Sequence, residues 1–258
     1  GFTVTALAMA LEIHTNHPQM SYYLGFVILI LGIVKLIEAI KRSTTTTFFK
    51  QTAVIVFASI LGLGVNSSRL MAMKEYADYS TRGKTELTIE ADGSPKKVTQ
   101  GLSKEYITEY SYGITETMNL FIPRFMGGGT YEELGKDSEF YNVLKSHPQI
   151  GPVQAAKASK QVLTYWGDQT IIEAPAYIGA VVFFLFFMGI FLVKGTLKYW
   201  LVAATLFSVI LSWGKNFDFV TNLFIDYVPL YNKFRAVSSI QVIAELCIPL
   251  LGILALKE

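Results

Sequence analysis

Charged side chains are scarce in this sequence. Only 16% of its 258 residues are Asp, Glu, Lys or Arg, whereas soluble domains carry about 25%. Hydrophobic residues make up 52% of the chain, and the mean hydropathy is +0.39. This balance excludes an ordinary soluble domain and favours a membrane protein. The net charge of +2 is also too small to indicate a nucleic-acid partner.

Cysteine and the common catalytic motifs are nearly or wholly missing. The single cysteine, Cys247, lies in an apolar run, so an internal disulfide is excluded. The sequence contains no G-x-S-x-G and no C-x-x-C, and the glycines at 127–130 lack the spacing of a phosphate-binding loop. The first residues have neither the basic region nor the small-residue cleavage site of a signal peptide.

Long apolar runs, in contrast, are present near both ends. Residues 1–13 would form only about 20 Å of helix, short of the roughly 30 Å of a bilayer core, so we expect the chain to begin partway through a spanning helix. Full-length spans are predicted at 21–40, 49–66, 175–193, 197–213 and 237–256. With the truncated helix, the sequence predicts six crossings.

Basic residues in the short connections predict the orientation of these spans. One set of loops and helix ends carries seven of them, Lys35, Lys41, Arg42, Lys50, Lys194, Lys198 and Lys257. The opposite set, 14–20 and 214–236, carries three, Lys215, Lys233 and Arg235. Because basic loops stay in the cytoplasm, we expect 14–20, 67–174 and 214–236 to lie together on the outer side of the membrane.

The outer segment 67–174 is too long for a simple connection. It predicts a helix continuing out of the second span, a β-hairpin around Asp92-Gly93, a helix capped by Ser103, and two short helices over 137–147 and 152–163. Three glycines at 127–129 predict a mobile joint. The fold class expected is therefore mainly α, a polytopic transmembrane helical bundle with a small α+β domain on its outer face. Its three parts are transmembrane helices at 1–66, the outer domain at 67–174, and transmembrane helices at 175–258.

Two histidines stand between the first two helices. His14 and His17 are three residues apart, with Glu12 two residues earlier. A zinc site needs three or four ligands, which makes Glu12, His14 and His17 weak metal candidates. The alternatives are a polar helix end with local hydrogen bonds, or a cavity on the outer face that binds a polar or phosphorylated substrate.

A second cluster of candidates lies at the outer ends of the last spans. Lys215 and Arg235 flank an aromatic-rich stretch, where they either bind a lipid-linked phosphate or extend to lipid headgroups. The remaining candidates come from the outer segment and the last span, and they are Trp166, Asp168, Arg124 and Glu245. Glu245 is expected to face the bundle interior, because carboxylates within spans seldom face lipid.

Several strings spread over nearly the whole chain carry a family resemblance. They are EIHTNHPQMSYYLG, EYADYSTRGKTELT, YITEYSYGITETMNLFIPRFMGG, YWGDQ, LSWGKNFDF and DYVPLYNKFRAVSS. In these strings the chain resembles the YfhO-type bacterial multi-pass membrane proteins, which have the GT-C glycosyltransferase architecture. None of the strings is a general catalytic signature.

The resemblance implies transfer of a sugar from a polyprenyl-phosphate carrier to a cell-envelope glycopolymer acceptor on the outer face. It also implies a catalytic acidic residue in a first outer loop, upstream of the segment that this chain resembles. The chain is thus expected to be a fragment inactive alone, with no cofactor evident beyond a divalent metal that the intact protein could bind.

Two other functions remain open from the residues themselves. A non-enzymatic transporter or flippase subunit would need polar residues along a path through the bilayer. A membrane-anchored outer binding module would use 67–174 as its working part. We expect such a module to fold and bind a partner when it is expressed alone.

Overall fold

The computed structural model of the chain describes residues 1–85, 89, 92–95, 100–169 and 176–258. Within these residues the chain is mainly helical, as predicted. The only β-type pairings among them are isolated bridges, so the α+β character expected of the outer segment is not supported. Two of these bridges, Lys84 with Gln100 and Ile89 with Pro95, flank the Asp92-Gly93 turn. The rest of the predicted hairpin lies outside the described residues.

Eleven α-helices occur in the described part of the chain. They are α1 Phe2–His14, α2 Pro18–Lys41, α3 Thr45–Val65, α4 Ser67–Asp78, α5 Lys104–Ile107, α6 Glu139–Ser146, α7 Pro152–Ala158, α8 Ala180–Leu192, α9 Leu197–Ser212, α10 Asp218–Tyr227 and α11 Val242–Lys257. Short 3₁₀ helices cover Thr115–Leu120, Gly214–Phe217, Tyr231–Lys233 and Val237–Gln241. The last of these runs directly into α11.

Among the described residues, three helical segments are long and apolar enough to cross a membrane, namely Pro18–Lys41, Thr45–Val65 and Val237–Lys257. A fourth crossing requires α9 together with the following Gly214–Tyr227, and that pair bends by 107°. The remaining two predicted crossings correspond to α1 and α8. Each has 13 residues, which is about 20 Å of helix and less than a bilayer core requires.

The main core lies between α2, α8, α9 and α11. Its buried side chains include Tyr23, Phe186, Leu201, Ile248 and Leu251. Helices α8 and α11 approach closely because Gly189 leaves room for Leu251. A Cβ at position 189 would lie 2.7 Å from the Leu251 Cγ. Small residues at such crossings allow close helix packing inside membranes.

Helices α1 and α3 form a second contact at the edge of the bundle. Gly62 of α3 lies against α1, where a Cβ would come within 2.9 Å of the Ala10 nitrogen. The Asn66 Nδ2 donates to the Ala10 carbonyl oxygen at 2.9 Å. Asn66 also separates α3 from α4, so a helix does follow the second span, as predicted.

The outer segment packs onto one end of the bundle. Leu102 and Ile107 form a small buried core with Tyr231 and Val237. Ser103 caps α5, as predicted, by accepting a hydrogen bond from the Tyr106 amide. The glycines at 127–129 are held by hydrogen bonds, since Gly128 N donates to the Thr164 carbonyl at 2.9 Å and Gly129 N donates to Glu132 at 3.0 Å. These contacts do not measure mobility, so the mobile joint stays a prediction.

Candidate functional site

The charge pattern groups together residues 14–20, 67–174 and 214–236. Parts of these three segments meet at one end of the bundle, and we call this end the rim. Gln19 Nε2 donates to the Arg235 carbonyl oxygen at 2.7 Å, and the Tyr22 hydroxyl donates to the Pro229 carbonyl at 2.7 Å. The Tyr112 amide donates to the Ser212 carbonyl at 2.9 Å. At the opposite end, the Thr196 hydroxyl donates to Glu38 at 2.7 Å. The predicted grouping of the loops is therefore confirmed by contacts.

Arg235 is a cation of the rim that lies between aromatic rings. Its Nη1 donates to the Tyr106 hydroxyl at 2.6 Å, and its guanidinium lies 4.7 Å from the Tyr106 ring centroid and 5.5 Å from that of Tyr110. The Glu109 carboxylate forms an ion pair with Arg235 at 3.8 Å, a distance too long for a short hydrogen bond. The hydrogen bond with Tyr106 is the main cause that raises the pKa of Arg235.

The backbone around Arg235 explains how its side chain reaches Tyr106. Leu230 and Ala236 have φ values of 65° and 57°, a left-handed conformation that costs a residue with a Cβ roughly 1–2 kcal/mol. Immediately afterwards, the Ser238 amide donates to the Tyr110 carbonyl at 3.1 Å. These turns fold the chain between α10 and α11 back onto the outer segment, with Arg235 between the two.

Other cations lie on the same rim. Arg82 Nε donates to the Lys233 carbonyl at 2.9 Å, and Lys233 Nζ donates to the Arg82 carbonyl at 2.6 Å. This exchange brings two positive side chains together. Lys215 is exposed, and its amide donates to the Ser111 hydroxyl at 3.1 Å. Lys215 and Arg235 thus contact different parts of the same stretch, residues 106–111, and the structure gives no direct contact between them.

The two histidines do not form a metal site with Glu12. His14 and His17 are exposed. The Glu12 carboxylate accepts a hydrogen bond from Ser21 at 3.1 Å. Within the described residues, no group of three or more His, Cys, Asp or Glu side chains could hold a metal ion. The candidate set Glu12, His14 and His17 is therefore wrong as a metal centre, whereas a role in substrate binding stays a prediction.

A buried carboxylate that the sequence did not reveal lies beside the rim. Glu116 is 0% exposed. Its Oε2 accepts from Gly113 N at 2.8 Å and from Asp168 N at 3.4 Å, and its Oε1 accepts from Gln169 Nε2 at 3.3 Å and from the Tyr165 hydroxyl. Thr117, the next residue, accepts a hydrogen bond from Trp213 Nε1 at 2.8 Å, which ties this carboxylate to the end of α9.

The phenols near Glu116 have perturbed acidities. Burial is the main cause that raises the pKa of Tyr165, and its hydrogen bond to Glu116 adds to the effect. Burial likewise raises the pKa of Tyr112, and the neighbouring carboxylates of Glu116 and Glu245 contribute. Both phenols are therefore neutral hydrogen-bonding groups at physiological pH. Glu245 is exposed and near Tyr112, so the expectation that it faces the bundle interior is wrong.

Trp166 and Asp168 lie in the stretch 165–169, which contributes hydrogen-bond donors to Glu116. Trp166 is 79% exposed, and its amide donates to the Met126 carbonyl at 2.8 Å. The Asp168 side chain is exposed, while its amide helps to bind Glu116. The YWGDQ string therefore supplies backbone and phenol donors to a buried carboxylate and leaves an indole and a second carboxylate accessible.

Arg124 forms a separate ion pair within the outer segment. Its Nη2 lies 2.6 Å from the Glu132 carboxylate, and its own φ is 58°. Together with Asn119, the glycines at 127–129 and Tyr177, these two residues line a cavity of about 170 Å³. Pockets for small-molecule ligands usually span about 300–1,000 Å³, so this cavity is too small for a sugar carrier.

Comparison with known proteins gives no relative for this chain. No model of a known protein family matches it, and neither a curated protein nor a solved structure is significantly similar to it. What the chain does must therefore be inferred from the rim and from the helices that carry it.

Proposed function

We propose that this chain is part of a GT-C-like membrane glycosyltransferase that takes a sugar from a polyprenyl-phosphate carrier and transfers it to a cell-envelope acceptor on the outer face. The observation that carries the proposal is the environment of Arg235. Two tyrosines position its guanidinium, its side chain is still 37% exposed, and its nearest carboxylate is 3.8 Å away. Among the described residues the guanidinium makes one short side-chain hydrogen bond, to Tyr106, and one long ion pair, to Glu109. Arginine binds a phosphate through two parallel hydrogen bonds.

The depth of the rim suits a lipid-linked substrate. Arg235 lies two residues before Val237–Lys257, a candidate span, so its guanidinium lies near the headgroups of a bilayer. Helix α10, bent by 107° from α9, exposes Phe219, Leu223 and Tyr227 at a spacing of four residues. Such an apolar stripe suits a helix that lies in the membrane interface. A carrier with its chain in the bilayer would present its phosphate at this level.

The chemistry assigned to the described residues is charge stabilisation. Transfer breaks the bond between the sugar and the carrier phosphate, so negative charge develops on the leaving phosphate oxygen. Arg235, held in place before the reaction, would stabilise that charge more than it stabilises the ground state. The acceptor proton needs a base, which the family resemblance puts upstream of this chain.

A transporter or flippase subunit is less well supported by the bundle core. The buried polar residues between the helices are hydroxyl or amide groups. Thr205 donates to the Leu201 carbonyl, Ser208 donates to the Ile240 carbonyl and Gln241 donates to the Ser212 hydroxyl. Among the described residues no ionisable side chain is buried in this core apart from Tyr23 and Cys247. Polar paths through transporters are typically lined with charged residues.

An independent outer binding module is also less well supported. Its stretch 100–117 makes hydrogen bonds to Ser212, Trp213, Asn216 and Asn232 of the bundle end, and Ile107 is buried against Tyr231. A segment held this way would lose part of its core when excised. These contacts favour a working unit that includes both the outer segment and the membrane helices.

The test is binding and transfer by the complete gene product that contains this chain, reconstituted in liposomes. A polyprenyl phosphate with a photoreactive group would label the protein, and Arg235→Ala should reduce labelling at least about tenfold, the loss of one charged hydrogen bond. Arg235→Lys should be intermediate. Lys145→Ala, which removes an exposed cation of α6, is the matched control and should label normally.

Two results would overturn different parts of the proposal. Unchanged labelling of a folded Arg235→Ala protein would remove the carrier from this rim. The second result is normal labelling by a sugar-charged carrier with no transfer of its radiolabelled sugar. It would mean that the protein binds a lipid phosphate but does not transfer the sugar.

A further inference from the structure

A large cavity lies at the end of the bundle opposite the rim. It is a side-opening groove of about 640 Å³ between α2 and α3, next to the link that joins them. Aliphatic side chains form most of its wall, including Ile28, Leu31, Leu36, Ile55 and Val56. The polar lining residues belong to the part of the two helices nearer the link and to the link itself, and they are Lys35, Glu38, Arg42, Thr44, Thr47, Gln51 and Thr52. The groove thus has a long apolar part and a short polar mouth.

Hydrocarbon is the natural content of the apolar part. Both walls are helices long and apolar enough to span a membrane, so the groove opens at the depth of lipid chains. Ile28, Ile55 and Val56 remain 43–50% exposed. Gly32 lies on the wall, and a Cβ built there meets no atom within 4 Å. The space next to α2 is therefore open to an acyl chain.

The charged side chains at the polar mouth determine which lipid headgroup it can bind. Lys35 and Arg42 share a single carboxylate, Glu38, at 2.9 and 3.0 Å, and Glu38 also accepts a hydrogen bond from Thr196. Lys41 and Lys50 follow close by in the sequence, and no Asp or Glu occurs from residue 39 to residue 74. Two lining cations, Lys35 and Arg42, against one carboxylate leave the mouth positive. Basic pockets beside membrane helices attract anionic headgroups, with about 1 kcal/mol for each Lys or Arg near the surface.

We propose that the groove is a binding site for an anionic glycerophospholipid of the leaflet at this end of the bundle. One acyl chain lies along the aliphatic wall between α2 and α3. The headgroup phosphate lies at the mouth, where Arg42 supplies guanidinium donors and Thr44 and Thr47 supply hydroxyls. This site is independent of the proposed rim function, because it lies at the other end of the helices and involves none of the same residues.

Native mass spectrometry of the detergent-purified chain with added phosphatidylglycerol or phosphatidylcholine would test the charge preference. Phosphatidylglycerol should bind more tightly. Arg42→Gln should weaken it about fivefold, the equivalent of one lost cation, with little effect on phosphatidylcholine. The control is Lys194→Gln, which removes an exposed cation at the same end but outside the groove and should leave the affinity unchanged.

Filling the groove gives a second test that does not depend on charge. Gly32→Phe should fill the space beside α2 and abolish binding of both lipids. Gly25→Phe is its partner control on the same helix, because Gly25 does not line the groove and its Cβ would also meet open space. Equal lipid binding by Gly32→Phe and Gly25→Phe would overturn the proposal. So would a dimer of the wild-type chain that Gly32→Phe dissociates, since a second copy would then occupy the groove.

The location can be measured on the unmodified protein. Phosphatidylglycerol with a diazirine near the middle of one acyl chain should crosslink to residues 28–36 and 52–56 when the protein is in liposomes. Crosslinks spread evenly over the exposed faces of α2, α3 and α8 would show an annular lipid and would contradict a defined site.

Discussion

The guanidinium of Arg235 and the phenol of Tyr106, which are 129 positions apart in the chain, form a hydrogen bond of 2.6 Å in which the arginine donates. The same ring lies 4.7 Å from the guanidinium carbon. This pair connects the turn before α11 with helix α5 of the outer segment. The outer segment therefore helps to set the orientation of the cation that we propose binds a lipid phosphate.

Replacing Tyr106 separates the two parts of that contact. Tyr106→Phe removes the hydrogen bond and keeps the ring, so we expect the free energy of unfolding to fall by roughly 0.5–1 kcal/mol, because both side chains are partly exposed. Tyr106→Ala should cost more, since the cation–π contact is lost as well. Thermal unfolding of the purified chain measures both changes. A Tyr106→Phe protein as stable as the wild type would mean that the hydrogen bond does not contribute.

Glu116 offers a sharper test of the outer segment. It is completely buried and accepts hydrogen bonds from Tyr165, Gln169 and two backbone amides. Glu116→Gln would present an amide N–H to groups that are themselves donors, so the variant should lose about 2 kcal/mol of stability. Limited proteolysis of residues 113–169 should become faster. The isosteric comparison is Tyr165→Phe, which removes one donor and should have a smaller effect.

The crossing of α8 and α11 should tolerate no added volume at Gly189. A Cβ there would lie 2.7 Å from Leu251 Cγ and 2.8 Å from its carbonyl oxygen, so Gly189→Ala forces the helices apart and should cost about 1–3 kcal/mol. Gly252→Ala should cost less, because its closest atom, Leu185 Cβ, would be at 3.2 Å. Gly64→Ala meets nothing within 4 Å and should leave the melting temperature unchanged or raise it.

The bundle was more predictable than the outer segment. Apolar runs identified the three long spans, and the uneven distribution of basic residues grouped the loops at the two ends, because both depend on composition over many residues. The cap at Ser103 was also predictable, since it involves only residues three positions apart. These features require no knowledge of long-range contacts.

The features that the sequence did not predict are those that depend on distant partners. Glu116 looks like one of many polar residues in a loop, and its burial depends on Tyr165 and Gln169, about 50 positions away. The glycines at 127–129 also did not indicate that the Gly128 amide would donate to the Thr164 carbonyl, 36 positions away. Likewise, Glu245 was expected in the bundle interior. The sequence shows its position along α11, but it does not show the direction in which its side chain points.

Acid should weaken the ion pair between Arg124 and Glu132. The hydrogen bond from Arg124, followed by that from the Gly129 amide, lowers the pKa of Glu132 below its ordinary value of 4.5. A carboxyl whose pKa is lower in the folded state contributes stability above its unfolded pKa, and this contribution disappears as the pH falls through the folded pKa. We therefore expect part of the decrease in melting temperature below pH 4.5 to be absent in Glu132→Gln. Glu133→Gln, which changes the exposed neighbour, should keep the wild-type acid response.

The membrane sidedness can be measured with single cysteines because the native one is inaccessible. Cys247 is 0% exposed, so the wild-type chain serves as its own unlabelled control. If the basic end of the bundle is cytoplasmic, His17→Cys should react with an impermeant maleimide in intact cells. Lys194→Cys, at the end where Glu38 contacts Thr196, should react only after the membrane is permeabilised. The reverse pattern would put Arg235 in the cytoplasm, where outer-face sugar transfer has no acceptor. Labelling of both cysteines in intact cells would mean that the helices between them do not cross the bilayer.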